Sequence, residues 1–163
     1  MVHGNSFSIL IFGASGDLTS RKLIPALFRL FCQNFLPPGC PIIGVARREK
    51  THAEFQAEMQ QVVASRMGDK FDAVAWQQFA GHLYYQQLDI ASPADYQQLQ
   101  RDLQTIELAA GAGTEPVRVV YLATAPTLFA AAVEGLHVAG LIPPREQSGR
   151  LRVVVEKPFG RDL

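Results

Sequence analysis

Cysteine, net charge and long apolar stretches are all scarce in this sequence, and each scarcity excludes a class of protein. Only two cysteines occur, Cys32 and Cys40, and neither belongs to a CxxC or Cys/His cluster, so we expect no metal and a reduced, cytoplasmic setting. Fifteen basic residues balance fifteen acidic ones, so no nucleic acid or anionic membrane partner is expected. No apolar run approaches the roughly 20 residues that cross a bilayer, and no basic segment followed by an apolar one opens the chain.

What is present is enough apolar sequence for one core. The chain has 163 residues, of which 48% are hydrophobic, and it contains no internal repeat or low-complexity tract. This length and composition predict a single domain over residues 1–163.

Short apolar runs alternate with segments in which apolar residues recur every three or four positions. The runs are typical of buried parallel strands, and the recurring pattern is typical of helices that bury one face. We predict strands over residues 8–12, 42–46, 83–90, 117–123 and 151–155. We predict helices with buried faces on Leu23, Leu27 and Phe31, on Phe55, Met59, Val62 and Val63, over residues 71–79, on Tyr96, Leu99, Leu103 and Ile106, and on Phe129, Val133 and Leu136.

Two of these helices begin at residues that are typical of helix starts. Ser92 is expected at the N-cap, before Pro93 at the first helical position, and Thr127 is expected to cap the helix that carries Phe129. Strands that alternate with helices predict a parallel sheet wound by right-handed crossovers. The predicted fold class is therefore α/β, a Rossmann-like doubly wound parallel sheet in three α/β/α layers.

A glycine turn, residues 13–18 (GASGDL), separates the first strand from the first helix. Gly13 would allow a tight turn off the strand, and Gly16 would let a phosphate approach the backbone at the start of the helix. Ser15 and Thr19 are candidates to add hydroxyl donors. The spacing is GxxG and not the full GxGxxG fingerprint, so a turn that merely reverses the chain is the alternative.

The second predicted strand ends in two arginines, Arg47 and Arg48. Sites specific for NAD usually carry an acid here, which binds the ribose 2′-hydroxyl. A guanidinium is always charged and matches a phosphate, so this pair favours the 2′-phosphate of NADP. The alternative is a pair of ordinary solvated residues at a strand end.

Three motifs in this order are similar to those of the glucose-6-phosphate dehydrogenase family. They are residues 11–23 (IFGASGDLTSRKL), residues 43–47 (IGVAR) and residues 154–163 (VVEKPFGRDL). Together they extend over nearly the whole chain, which therefore resembles that family's N-terminal NADP-binding (coenzyme) domain.

The resemblance implies NADP as the coenzyme and glucose 6-phosphate as the substrate, which is oxidised to 6-phosphogluconolactone in the first step of the oxidative pentose phosphate pathway. It also implies that Arg47 holds the 2′-phosphate and that Leu88 and Asp89 lie beside the adenosine. Lys157 would contact both coenzyme and sugar, and Pro158 would position it. The residues that would line the diphosphate are Gly13, Ala14, Ser15, Gly16, Asp17, Leu18, Thr19 and Ser20.

Other parts of the family's pattern are missing. Its general base is a histidine oriented by an acid, and none of His3, His52, His82 and His137 matches that position. Residues 122–126 (LATAP) depart from the common LALPP, and Phe129 stands where some relatives carry a coenzyme-contacting tyrosine. We expect a truncated domain that binds coenzyme but is essentially inactive alone, with the sugar-phosphate ligands and most self-association in a larger C-terminal domain.

Two enzyme classes are excluded by their signatures. A short-chain reductase requires Tyr-x-x-x-Lys, a P-loop phosphotransferase requires GxxxxGK[ST], and neither pattern occurs. Two alternatives stay open: a non-catalytic NADP-sensing or interaction module, and a structural α/β domain with a vestigial loop.

Overall fold

Five parallel strands form one sheet in the computed structural model, which describes residues 6–156. The sheet order is β3-β2-β1-β4-β5, and every neighbouring pair is parallel. From β1 the chain builds outward through β2 and β3, then crosses to the other side of β1 for β4 and β5. The strand bounds are β1 Phe7–Phe12, β2 Ile42–Ala46, β3 Leu83–Gln87, β4 Val117–Leu122 and β5 Leu151–Val155.

Helices connect the strands and cover both faces of the sheet. The first begins with a widened π-helical turn, Thr19–Leu23, and continues as α1, Ile24–Cys32. The other α-helices are α2 His52–Met67, α3 Ala73–Ala80, α4 Pro93–Ala109 and α5 Phe129–Val138, with short 3-10 turns at Gly68–Lys70, Pro126–Leu128 and Arg145–Arg150.

Two apolar clusters, one on each face, hold these layers together. On one face Leu10, Phe12 and Val120 pack against α4 and α5. On the other face Ile11 and Ile42 pack against α1, α2 and α3. Successive strand residues point to opposite faces, so a strand that is apolar throughout is buried on both sides. The predicted Rossmann-like, three-layer α/β/α fold is confirmed.

Several local predictions were wrong. Strand β3 ends at Gln87 and not at residue 90, because its partner β2 ends at Ala46. The Ala46 carbonyl accepts the N–H of Leu88 (2.9 Å), which is the last hydrogen bond between the two strands. Thr127 caps no helix, since it lies inside the 3-10 turn that precedes α5. The helix start at Pro93 is confirmed, but the Ser92 hydroxyl donates to Asp95 Oδ1 (2.9 Å) and does not cap the backbone.

A buried ionic cluster ties α4 to two strands at the end of the sheet where β1 and β4 begin. Glu107 is 1% exposed and accepts two hydrogen bonds from Arg118, both at 2.8 Å, and one from the Ser8 hydroxyl at 2.7 Å. All three hydrogen bonds are made within the protein, so this cluster serves packing and not ligand binding.

Candidate functional site

A cleft of about 560 Å³ opens at the carboxyl ends of β1, β2 and β4. The sheet order reverses on the two sides of β1, and ligands of open α/β sheets bind at such a switch point. The cleft is lined by Phe12, Gly13, Ser15, Gly16, Val45, Ala46, Arg47, Arg48, Leu88, Asp89, Ile90, Ala91, Thr124, Leu128 and Ala131.

The glycine turn forms the floor of this cleft. Gly13 has φ +94°, and a Cβ there would lie 2.6 Å from the carbonyl oxygen of Ala123, so no other residue fits. The Gly16 N–H donates to the Gly13 carbonyl (3.0 Å) and closes the turn. Within residues 6–156 the N–H groups of Ser15 and Asp17 have no acceptor. Unpaired N–H groups at the start of a helix provide an anion site.

The remaining residues of the glycine turn do not line the cleft with their side chains. Ala14 is 1% exposed and its N–H donates to the carbonyl of Val45 (3.1 Å). Thr19 is fully buried and its hydroxyl donates to the Gly13 carbonyl (3.0 Å). That hydroxyl therefore shapes the turn, and the prediction that it donates to a ligand is corrected.

Asp17, Leu18 and Ser20 complete the predicted diphosphate segment. The Asp17 carboxylate is exposed and lies 3.5 Å from Arg21. Leu18 is half-buried, and the Ser20 hydroxyl lies 3.4 Å from the carbonyl oxygens of Gly16 and Asp17. None of these side chains faces the cleft, so a role in binding rests on their backbone or on local rearrangement.

The two arginines lie where the sequence predicted, in the turn after β2 and on the cleft wall. Both are exposed, and neither forms an ion pair within the described residues. Their backbone is held from β3: Gln87 Nε2 donates to the carbonyl of Arg47 (3.1 Å), and Tyr85 Oη donates to that of Arg48 (2.5 Å). The turn is thus fixed, while both guanidinium groups remain open to a ligand.

Leu88 and Asp89 follow β3, the neighbour of β2, and also line the cleft. The Leu88 side chain is 1% exposed, and the exposed Asp89 accepts the N–H of Ala91 on its Oδ1 (2.9 Å). The Asp89 N–H donates to Asp95 Oδ2 (2.7 Å), which holds this segment on the start of α4. The structure brings both residues to the same cleft as the glycine turn and the arginines.

From the sequence, residues 122–126 and Phe129 were compared with the family pattern, but no residue after β4 was assigned to the site. Thr124, Leu128 and Ala131 line the cleft there, and Phe129 packs against the core behind it. The Thr124 hydroxyl is buried without a hydrogen-bond partner in the described part of the chain. The available signal was topological: residues that follow β4 must face residues that follow β1, because these strands are neighbours.

The remaining candidates are the predicted catalytic lysine, its neighbouring proline and the histidines. Lys157 and Pro158 lie outside the described residues, as does His3. His52 Nδ1 accepts the N–H of Tyr85 (2.9 Å), and His82 Nδ1 lies 3.2 Å from the carbonyl oxygen of Cys40. These two histidines contact the protein's own backbone.

The described residues, 6–156, contain neither a metal-binding cluster nor a membrane-spanning helix. No group of three or more His, Cys, Asp or Glu side chains there is arranged to hold a metal ion. No helix in that part of the chain is both long and apolar enough to span a membrane.

Comparison with known proteins shows which proteins the chain that carries this cleft is similar to. The family described as "Glucose-6-phosphate dehydrogenase, NAD binding domain" matches residues 10–163. A glucose-6-phosphate 1-dehydrogenase from Aggregatibacter actinomycetemcomitans is 42% identical over 154 residues, which are 94% of this chain and 30% of that protein. One from Chlamydia pneumoniae is 36% identical over 95% of this chain and 30% of its own length.

Solved structures agree with the sequence comparison. A glucose-6-phosphate 1-dehydrogenase from Mycobacterium avium aligns with a TM-score of 0.78 at 32% identity, over 96% of this chain and 31% of that one. A glucose-6-phosphate dehydrogenase solved with its substrate glucose 6-phosphate aligns with a TM-score of 0.81 at 33% identity, over 97% and 31%. The chain thus spans about 30% of the length of the relatives that it matches.

Proposed function

The chain belongs to the family of glucose-6-phosphate dehydrogenase NAD-binding domains, and we propose that it binds NADP(H) in the cleft at the ends of β1, β2 and β4. The observation that carries this proposal is the meeting of two features in one cleft. A turn with unpaired N–H groups forms its floor, and two exposed arginines form its wall. The first feature suits a diphosphate, and the second suits a further phosphate beside the ribose.

Charge favours NADP over NAD at the end of β2. An acid at this position would bind the 2′-hydroxyl of NAD and repel a 2′-phosphate. Here Arg47 and Arg48 carry no ion pair within residues 6–156, so a 2′-phosphate would gain charge-assisted hydrogen bonds without breaking existing ones. We assign the 2′-phosphate to Arg47, with Arg48 beside it.

The rest of the coenzyme follows the lining of the cleft. Gly13, Ser15 and Gly16 would face the diphosphate directly and Asp17 would contribute its unpaired N–H, whereas Ala14 and Thr19 would shape the turn. Leu88 and Asp89, at the end of β3, would flank the adenosine. The bound coenzyme would supply the acceptor for a hydride.

In the relatives that this chain matches, the domain is part of a longer protein. The substrate and the reaction proposed here belong to such a longer protein. We propose that this protein oxidises glucose 6-phosphate at C1, the first step of the oxidative pentose phosphate pathway, in the cytoplasm. Two electrons leave as a hydride from C1 to the nicotinamide, and the C1 hydroxyl proton goes to a general base outside this chain. Lys157 would contact both coenzyme and sugar. Self-association would use the larger domain.

Thermal unfolding with NADP+ and with NAD+ tests the coenzyme proposal. A ligand that binds only the folded state adds about 2.7 kcal/mol at 100 times its dissociation constant, which raises the midpoint of a chain this long by about 5–10 °C. We expect that shift with NADP+, and at the same concentration a smaller one with NAD+.

The Arg47→Ala variant assigns the preference to one residue. It should reduce the NADP+ shift to the NAD+ level, whereas Arg66→Ala, at the exposed end of α2, should leave both shifts unchanged. A wild-type chain stabilised by neither coenzyme would contradict the proposal and favour a structural domain with a vestigial loop. A larger shift with NAD+ would contradict the NADP assignment alone.

A further inference from the structure

The backbone of the arginine turn is fastened by side chains of β3. The Tyr85 hydroxyl donates to the carbonyl of Arg48 (2.5 Å) and lies 3.3 Å from that of Ala46, and Gln87 Nε2 donates to the carbonyl of Arg47 (3.1 Å). The carbonyls of Arg47 and Arg48 thus each accept a hydrogen bond from a side chain of β3, while that of Ala46 accepts the Leu88 N–H as the last bond of the ladder (2.9 Å). A turn beyond the last ladder bond of a strand has no such partners from the sheet itself.

Tyr85 is itself held firmly by the core. Its side chain is 3% exposed, its ring lies 5.3 Å from that of Phe55, and its N–H donates to His52 Nδ1 (2.9 Å). Burial raises the pKa of its phenol, so the hydroxyl keeps the proton that it donates. The phenol thus lies against the arginine turn, and packing sets its position.

We propose that Tyr85 is a positioning residue for coenzyme selectivity: by holding residues 46–48 it aims the guanidinium of Arg47 at a 2′-phosphate. The inference rests on the proposed NADP function. An arginine on a loose turn loses conformational freedom when a phosphate binds, and a fixed turn reduces that cost. NAD has no 2′-phosphate, so loosening the turn should weaken NADP binding selectively.

The experiment compares Tyr85→Phe with Tyr84→Phe by calorimetric titration of NADP+ and NAD+. Tyr85→Phe keeps the ring against Phe55 and removes only the hydroxyl. Tyr84 is the neighbouring residue on β3, and its hydroxyl has no hydrogen bond within residues 6–156, so it is the matched control. We expect the NADP+ dissociation constant of Tyr85→Phe to rise about fivefold, the effect of one hydrogen bond, with NAD+ changed less than twofold. Tyr84→Phe should match wild type.

Each other outcome overturns the inference in a recognisable way. Equal weakening of both coenzymes by Tyr85→Phe would give Tyr85 a general structural role only. Unchanged NADP+ binding, with the preference still lost in Arg47→Ala, would refute the inference and leave the proposed function standing. Wild-type binding without NADP+ preference would remove the inference together with the NADP assignment, and would leave coenzyme binding in the cleft standing.

Discussion

Replacing Gly135 with alanine should destabilise this protein, although the same change in most helices stabilises them. Gly135 lies inside α5, where alanine is favoured over glycine by about 1 kcal/mol. A Cβ there would lie 2.2 Å from Cζ of Tyr96, with two further ring atoms at 2.3 and 2.6 Å. The Tyr96 ring is 1% exposed and stacks on Phe12 at 6.4 Å, so it has no room to retreat.

The magnitude follows from these opposing effects. Overpacking a well-filled core costs about 1–3 kcal/mol and at times more. Contacts below 3 Å with a rigid ring belong at the upper end, so after the helix gain we expect a net loss of about 2 kcal/mol. For a chain of this length that lowers the unfolding midpoint by about 4–8 °C.

Calorimetry or urea unfolding of four variants tests this reasoning. Gly149→Ala is the control, because a Cβ at Gly149 meets no atom within 4 Å, and it should change stability little. Tyr96→Leu makes room, so Gly135→Ala added to Tyr96→Leu should recover its helix gain and become stabilising. A Gly135→Ala single variant with a raised midpoint would refute the argument, since helix propensity alone would then decide.

Two further predictions concern buried ionisable groups. Glu107→Ala leaves Arg118 and Ser8 without their partner and should cost about 3–5 kcal/mol by urea unfolding; a loss below about 1 kcal/mol would show that the cluster contributes little. Burial raises the pKa of Cys40 from its ordinary 9.0 to about 11, so the folded state keeps the proton that the unfolded state loses, and stability should fall as pH rises from 9 to 11. Cys40→Ala should flatten that decline, and an equally steep decline in the variant would contradict the assignment; Cys32, exposed, should react with iodoacetamide at pH 8 well before Cys40.

Local rules predicted the strands and the glycine turn well. The apolar run before Gly13 was predicted as a strand buried on both faces and forms β1, and β2 and β5 begin and end where the apolar runs do. Predictions of which hydrogen-bond partner a single side chain takes were less reliable. Ser92 lies at the N-cap of α4 as expected, but its hydroxyl donates to the Asp95 side chain and makes no hydrogen bond to the helix backbone.

The site residues also fall into two groups: those that the sequence placed correctly and those whose role only the structure shows. Gly13, Ser15, Gly16, Arg47 and Leu88 were predicted from motif and resemblance, and the structure places all of them on one cleft. Thr19 was assigned to the same surface because it belongs to the same motif. Only the folded chain shows that its hydroxyl turns inward to the Gly13 carbonyl.

The sequence by itself determined the order of strands and helices, the place of the glycine turn and the positive charge after β2, because each depends on residues close together in the chain. The tertiary structure alone decided that residues 124–131 complete the cleft and that β3 fastens the arginine turn. Those contacts join residues about 40 to 110 positions apart. Which distant residues meet depends on the sheet order, and the sheet order follows from packing two apolar faces at once.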